Sequence, residues 1–310
     1  IITMNFDYHN YAKLKWPIMI ASVAVACLVW TPLGVELNGA RRWISIPGLG
    51  SFQPSEFAKL GMILFLACEI ALRPKSMQKF GGFIYILLLG GIFMIPVVLQ
   101  KSLSVTIVMG ATMIAIMFIA GAKMRYVGIV GGSVAAMGIA LTFFSESGAF
   151  RLKRIAAYLD PWQDPTGTGY QLIQSLYSLG AGGWFGLGLG QSRQKYLFLP
   201  YSESDFIFAI IAEELGFVGA ILVLAAFGFL IYRCIRVAIC ATDTLGTLLV
   251  GGISSLLAIQ VIFHVLVVAG AIPPTGMPLP FISAGSSSLV IFMAAIGIVL
   301  NVSRYSRLKT

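Results

Sequence analysis

The sequence predicts an all-α integral membrane protein, a polytopic bundle of about eight transmembrane helices with one long outer-face loop. Three observations carry that prediction. Hydrophobic residues fill 58% of the 310 positions and charged residues only 11%. A soluble domain carries about 25% charged residues, so too few charges remain here to cover a water-facing surface. Mean hydropathy is +0.91, and the apolar residues fall in runs long enough to cross roughly 30 Å of hydrocarbon, about 17–25 helical residues each.

The runs lie near 16–33, 55–72, 82–100, 103–121, 126–144, 205–232, 245–270 and 287–302. The first follows DYHNYAKLKW (7–16), whose Lys13 and Lys15 mark a cytoplasmic approach. The second opens at Pro54 and Ser55, with Ser55 as the helix cap. Gly90, Gly91 and Pro96 inside the third suit a membrane helix, where neighbours satisfy freed backbone groups. Connections on one side hold Arg73, Lys75, Lys79, Lys123, Arg125, Arg233, Arg236, Arg304, Arg307 and Lys309; short ones on the other hold Arg41, Arg42 and Lys101. The positive-inside rule puts the first set, and the C-terminus, in the cytosol.

Between the fifth and sixth runs lies the outer loop, about 145–204, whose own Arg151, Lys153, Arg154, Arg193 and Lys195 weigh little in a loop this long. FRLKRIAAYLD (150–160) has helical spacing suited to the headgroup layer. GAGGWFGLGLGQS (180–192) reads either as backbone wrapped closely around a ligand or as a flexible linker; Trp184, Phe185 and two leucines argue for packing. The chain forms a single transmembrane domain over 1–310. It begins at Ile1, so it is expected to start inside a longer protein. Its net charge of +9 is laid out as topology signals, which argues against nucleic acid as a partner. Cys27, Cys68, Cys234 and Cys240 read as reduced packing residues without metal-ligand spacing.

Charged groups within apolar helices cost at least about 2.5–3.5 kcal/mol each, so they are candidates for function. Glu56 and Lys59 share a helix face at a spacing of three, as a neutralising ion pair or as a patch holding a polar substrate. Asp205 opens an apolar helix just after the long loop. Partial desolvation there suits a proton acceptor; the alternative is a charge favourable to the helix dipole. Glu213 and Glu214, about 12 Å deeper, read as paired with polar groups of neighbouring helices. IPPTGMPLPFISAGSSS (272–288), which includes Ser283, cannot continue a helix; it either walls an outward-facing site or forms a tight turn. His264 reads as a packing histidine. Nucleotide-binding and hydrolase motifs are absent, and nothing points to use of ATP.

NGARRWISIPGLGSFQPSEFAKL (38–60), SRQKYLFLPYSESDFIFAIIAEELGFVG (192–219) and GAIPPTGMPLPFISAGSSSLV (270–290) resemble the SEDS family, the shape, elongation, division and sporulation proteins such as FtsW and RodA. The resemblance runs the whole length, and GARRW and SRQK lean to the division and sporulation branch. It implies a ten-helix protein lacking its first two helices here. It also implies peptidoglycan glycosyltransfer: lipid II joined to a nascent glycan strand at the outer face of the bacterial cytoplasmic membrane. A class B penicillin-binding protein would be the transpeptidase partner, among other divisome or elongasome membrane proteins. On this resemblance Asp205 is the general base, and undecaprenyl pyrophosphate leaves with inversion. Glu56, Lys59, Arg154, Arg193, Lys195 and Ser283 are the substrate-binding candidates. No cofactor is certain, and a divalent cation is left open. Competing readings are a lipid-linked precursor flippase and a non-catalytic scaffold for a penicillin-binding protein.

Overall fold

The computed structural model describes residues 1–37, 40–46, 50–132, 158–167, 169–200, 202–274 and 276–306. Helices α1 (Tyr11–Cys27), α2 (Pro54–Leu72), α3 (Phe80–Leu99) and α4 (Leu103–Ile119) come first. Helices α5 (Tyr170–Gly182), α6 (Arg193–Leu197), α7 (Ile207–Ile239), α8 (Thr244–Val268) and α9 (Ser286–Tyr305) follow. Among the described residues, five stretches are long and apolar enough to cross a membrane: Tyr8–Trp30, Phe80–Leu99, Ile207–Ile239, Thr244–Val268 and Ser286–Tyr305. Helix α4 is apolar but shorter, and α2 has 19 residues but carries Glu56, Lys59 and Glu69. The expected span at 126–144 is helical over 124–132; its remainder lies outside the described residues, as does most of the expected interfacial helix at 150–160. The chain is a multi-pass helical membrane protein.

The all-α expectation needs one amendment. Residues between α1 and α2 form an antiparallel sheet in the order β1–β2–β3, from β1 (Gly34–Leu37), β2 (Ala40–Ile46) and β3 (Gly50–Phe52). Val35 pairs with Trp43, and Ile44 with both Gly34 and Phe52. Ile44 is buried. Arg42 leaves β2 to donate to the carbonyls of Gln100 and Lys101, at 3.4 and 2.6 Å. A cation thereby satisfies the carbonyl end of α3, where the helix dipole is negative.

The chain divides into two compact units. The first comprises Ile1–Tyr126, Leu230–Ile259 and Gly285–Thr310. Its centre is α2, buried from Pro54 to Ile70 but for Phe57, and packed against α1, α3, α4 and α9. Small residues let the helices close up: a Cβ on Gly61 would lie 2.0 Å from Ser22 Oγ of α1. In a membrane, such packing replaces the hydrophobic drive that water supplies elsewhere. The α2 start differs from expectation. Gln53 is the cap, Pro54 takes the first helical position, and Ser55 lies inside the helix, its hydroxyl without a hydrogen-bond partner among the described residues. Proline's fixed φ favours that first position, and the Gln53 N–H is taken by Ser287 Oγ at 2.9 Å. At the far end of α2 the buried Glu69 meets Lys15 at 2.5 Å, Arg73 at 3.6 Å and the Tyr85 hydroxyl at 3.2 Å.

The second unit comprises Val127–Phe229 and Gln260–Ala284. Helix α5 buries Leu172, Ile173, Ser175 and Ser178, and Ser175 Oγ donates to the Val268 carbonyl at 2.9 Å. Helix α7 breaks at Gly216, where φ is +69°. The glycine-rich stretch after α5 fills the break with backbone. Leu187 and Gly188 N–H donate to the carbonyls of Glu213 and Glu214, both at 3.0 Å. Phe217 and Val218 N–H donate to Gly183 and Trp184 carbonyls at 2.8 and 3.1 Å. The close wrap is thus made with α7's own backbone. Trp184 meets the Phe217 ring of α7 edge-on at 5.4 Å, while Phe185 and Leu189 remain 84% and 76% exposed.

Candidate active site

Asp205 lies in the turn 202–205, two residues before α7 begins at Ile207. The non-helical stretch between α8 and α9 lies against it. Gly276 has φ +63°, and a Cβ there would stand 3.3 Å from Asp205 Oδ2. Only glycine combines that backbone with so close an approach. The stretch is tied down residue by residue. His264 Nδ1 lies 2.8 Å from the Met277 carbonyl, and Gln260 Nε2 donates to the Pro278 carbonyl at 2.9 Å. Ser283 Oγ accepts from Leu279 N–H at 2.7 Å and donates to the Ser204 carbonyl at 2.6 Å. Ala284 N–H donates to the Glu203 carbonyl at 2.8 Å. His264 is therefore a tethering residue, in keeping with the packing reading. Ser283 commits its hydrogen to the peptide preceding Asp205.

Next to this turn is an open cavity of about 460 Å³, lined by Lys195, Leu199, Ser202, Glu203, Ser204 and Ala284. Lys195 Nζ stands 3.9 Å from Glu203 Oε1, while Arg193, at the start of α6, is exposed. The second unit thus brings Asp205, Lys195 and Ser283 into one neighbourhood. Burial pushes the Asp205 carboxyl above its ordinary 3.8, and a hydrogen bond from Ser204 partly offsets that. A carboxylate so placed binds a proton more readily than one in water.

The other predicted pair lies in the first unit. Glu56 and Lys59 are each 1% exposed, with Lys59 Nζ 2.7 Å from Glu56 Oε1 and 5.9 Å from the Phe292 ring centroid. Glu56 Oε2 is buried and has no hydrogen-bond partner among the described residues. An orphaned carboxylate oxygen costs about 1–3 kcal/mol or more. Arg154 lies outside the described residues. Among the described residues no cluster of three or more His, Cys, Asp or Glu side chains is gathered to hold a metal ion.

A family model described as a cell cycle protein, covering FtsW, RodA and SpoVE, matches residues 1–308. The chain belongs to the FtsW, RodA and SpoVE family. This SEDS chain is 45% identical over 309 residues to stage V sporulation protein E of Bacillus subtilis (strain 168), covering 98% of the chain and 82% of the relative. It is 40% identical over 309 residues to the "Probable peptidoglycan glycosyltransferase FtsW" of Geobacter sp. (strain M18), covering 99% and 83%. Among solved structures it resembles a chain of a peptidoglycan synthase complex described as coordinating polymerization and crosslinking. There the TM-score is 0.81 and identity 30%, over 98% of this chain and 84% of that one. It also resembles the rod shape determining protein RodA of Thermus thermophilus, at TM-score 0.69 and 27% identity over 99% and 83%.

For a SEDS chain read from sequence, the missed parts of this neighbourhood are Ser202, Ser204 and Gly276, which join Asp205 through backbone turns. The run Ser202-Glu203-Ser204-Asp205 carried a signal, since small polar residues before an apolar run mark a turn and helix start. Nothing local marked Gly276 as the residue facing the carboxylate.

Proposed function

We propose that this chain is a peptidoglycan glycosyltransferase that polymerises lipid II into glycan strands, with Asp205 as the general base. The observation that carries the reading is the setting of Asp205: a partly desolvated carboxylate at the mouth of an apolar helix, beside a polar cavity that holds a lysine. In the reaction, Asp205 takes the proton of the acceptor sugar's 4-hydroxyl as that oxygen attacks the donor's anomeric carbon. The bond from this carbon to the pyrophosphate oxygen breaks on the opposite face, the configuration inverts, and undecaprenyl pyrophosphate carries away the electron pair. General-base help of this kind contributes about 10²–10⁴-fold.

The departing pyrophosphate needs positive charge where its own charge grows. Lys195, only loosely matched by Glu203, is the first candidate; Arg193, Arg154 and Lys59 are the other candidates read from the sequence. Ser283 acts by holding the Ser204 peptide, and with it the direction of Asp205. The reaction takes place at the outer face of the bacterial cytoplasmic membrane with the C-terminus in the cytosol, an orientation supported by the distribution of basic residues. The likeness to a chain of a peptidoglycan synthase complex supports a crosslinking partner, a class B penicillin-binding protein.

The test is the purified full chain in detergent with lipid II, without ATP, with and without divalent cation. Wild type is expected to make glycan strands and Asp205→Ala to make none while keeping its melting temperature. Equal polymerisation by Asp205→Ala sinks the assignment. Translocation of lipid II across vesicles, with no strands formed, would replace it by a flippase.

A further inference from the structure

The mechanism above leaves the buried carboxylate of Glu213, 1% exposed, without a task. It stands on α7, eight residues past Asp205, and its contacts lead back to the cavity. Glu213 Oε2 accepts from Ser192 Oγ at 2.6 Å and more distantly from Ser178 Oγ at 3.5 Å. Glu213 Oε1 accepts from Arg193 N–H at 3.0 Å and from Gln194 N–H at 3.5 Å. Ser192 Oγ in turn accepts from Lys195 N–H at 3.0 Å. The N–H groups of the first turn of α6 therefore converge, directly or through one hydroxyl, on a single carboxylate.

Charge-assisted bonds from backbone N–H to a carboxylate are about twice as strong as neutral ones. The same residue also holds the stretch before α6, because its main-chain carbonyl takes Leu187 N–H at 3.0 Å. Both flanks of 187–195 are thus fastened to one position of α7. Lys195 at the end of this tether is the cation that lines the cavity beside the Asp205 turn.

We propose that Glu213 is a positioning residue: it fixes α6, and through α6 the Lys195 ammonium, in register with Asp205 at the start of the same helix. A carboxylate is required because two acceptor oxygens must serve both the Arg193 amide and the Ser192 hydroxyl, which itself accepts from Lys195 N–H. An amide at this position offers one acceptor oxygen, so either the Arg193 N–H or the Ser192 O–H loses its acceptor and the hold on α6 weakens. The proposal rests on the glycosyltransferase reading, and its effect is exerted wholly through Lys195.

The test is a double-mutant cycle on lipid II polymerisation by the full chain, with Glu213→Gln, Lys195→Ala and the double variant. Each single change is expected to lower kcat/KM by about tenfold, and the double variant by about tenfold in total, no more than either alone, because both remove one function. A general structural role gives losses that multiply, toward about a hundredfold. Limited trypsin digestion supplies a readout independent of turnover: Glu213→Gln should be cut faster after Arg193 and Lys195 than wild type. Should Glu213→Gln fail to fold, Ser192→Ala replaces it in both measurements with the same expectation. Multiplying losses together with unchanged cutting overturn the proposal and leave the glycosyltransferase reading standing. If wild type forms no strands, that parent reading falls, and the trypsin comparison alone decides whether Glu213 anchors α6.

Discussion

At Asp205 two influences on a carboxyl oppose one another, burial raising its proton affinity and the Ser204 hydrogen bond lowering it, with burial the larger. The sign of the consequence follows from proton counting. The folded state holds this proton more tightly than the unfolded chain, so the contribution of Asp205 to stability is fully present below pH 3.8 and is lost as pH rises through the higher folded-state value. The general-base role proposed for Asp205 needs the opposite, ionised form. The polymerisation rate should therefore fall on acidification with a midpoint above 3.8. Asp205→Asn should abolish the rate yet raise the melting temperature at neutral pH by a few degrees, since it removes a buried charge. Thermal unfolding alongside a pH–rate profile checks both signs. At the Glu56–Lys59 pair the balance differs, because each charge is the other's compensation. Lys59→Met strands Glu56 and should cost about 3–5 kcal/mol, whereas Lys59→Met combined with Glu56→Gln should recover most of that; melting curves of the three variants decide it. These charged residues were legible in the sequence because charge inside an apolar run is rare. The atoms that complete their surroundings, such as the Gly276 backbone and the Ser204 carbonyl, carry no such mark.

The break in α7 depends on two glycines that meet across it. Gly216 has φ +69°, and a Cβ there would stand 2.3 Å from Gly186 N; a Cβ on Gly186 would stand 2.2 Å from the Glu214 carbonyl oxygen. Gly216→Ala should therefore cost at least about 1–2 kcal/mol from the left-handed backbone alone, and it should loosen the stretch carrying α6. Gly228→Ala, on the same helix with nothing within 4 Å, should be neutral or stabilising by up to about 1 kcal/mol. Melting temperatures of the two variants separate these outcomes. The apolar helices were readable because lipid demands long uninterrupted runs. The sheet between α1 and α2 was not read, although Asn38-Gly39 is a strong hairpin signal; short strands with charged residues between apolar ones lack a membrane signature. Helix α5 was lost inside a presumed loop for a similar reason. Its buried face at 172, 173, 175 and 178 includes two serines, which blurs the helical pattern.

Across the whole molecule, the sequence's partition into apolar runs and basic connections determines where chemistry can occur. Lipid-facing helices tolerate little polarity, so polar backbone and charge collect where helices begin, break or end. The second unit shows this: the Asp205 turn, the stretch around Gly276 and the α6 segment all join at the first turns of α7. The family match over residues 1–308 agrees with a whole-length architecture rather than a borrowed motif. The most direct measurement is strand formation from lipid II by wild type and Asp205→Asn, each purified and shown by melting to be folded. Strands from the wild type and none from a variant at least as stable is the predicted result; strands from both at equal rates would contradict it.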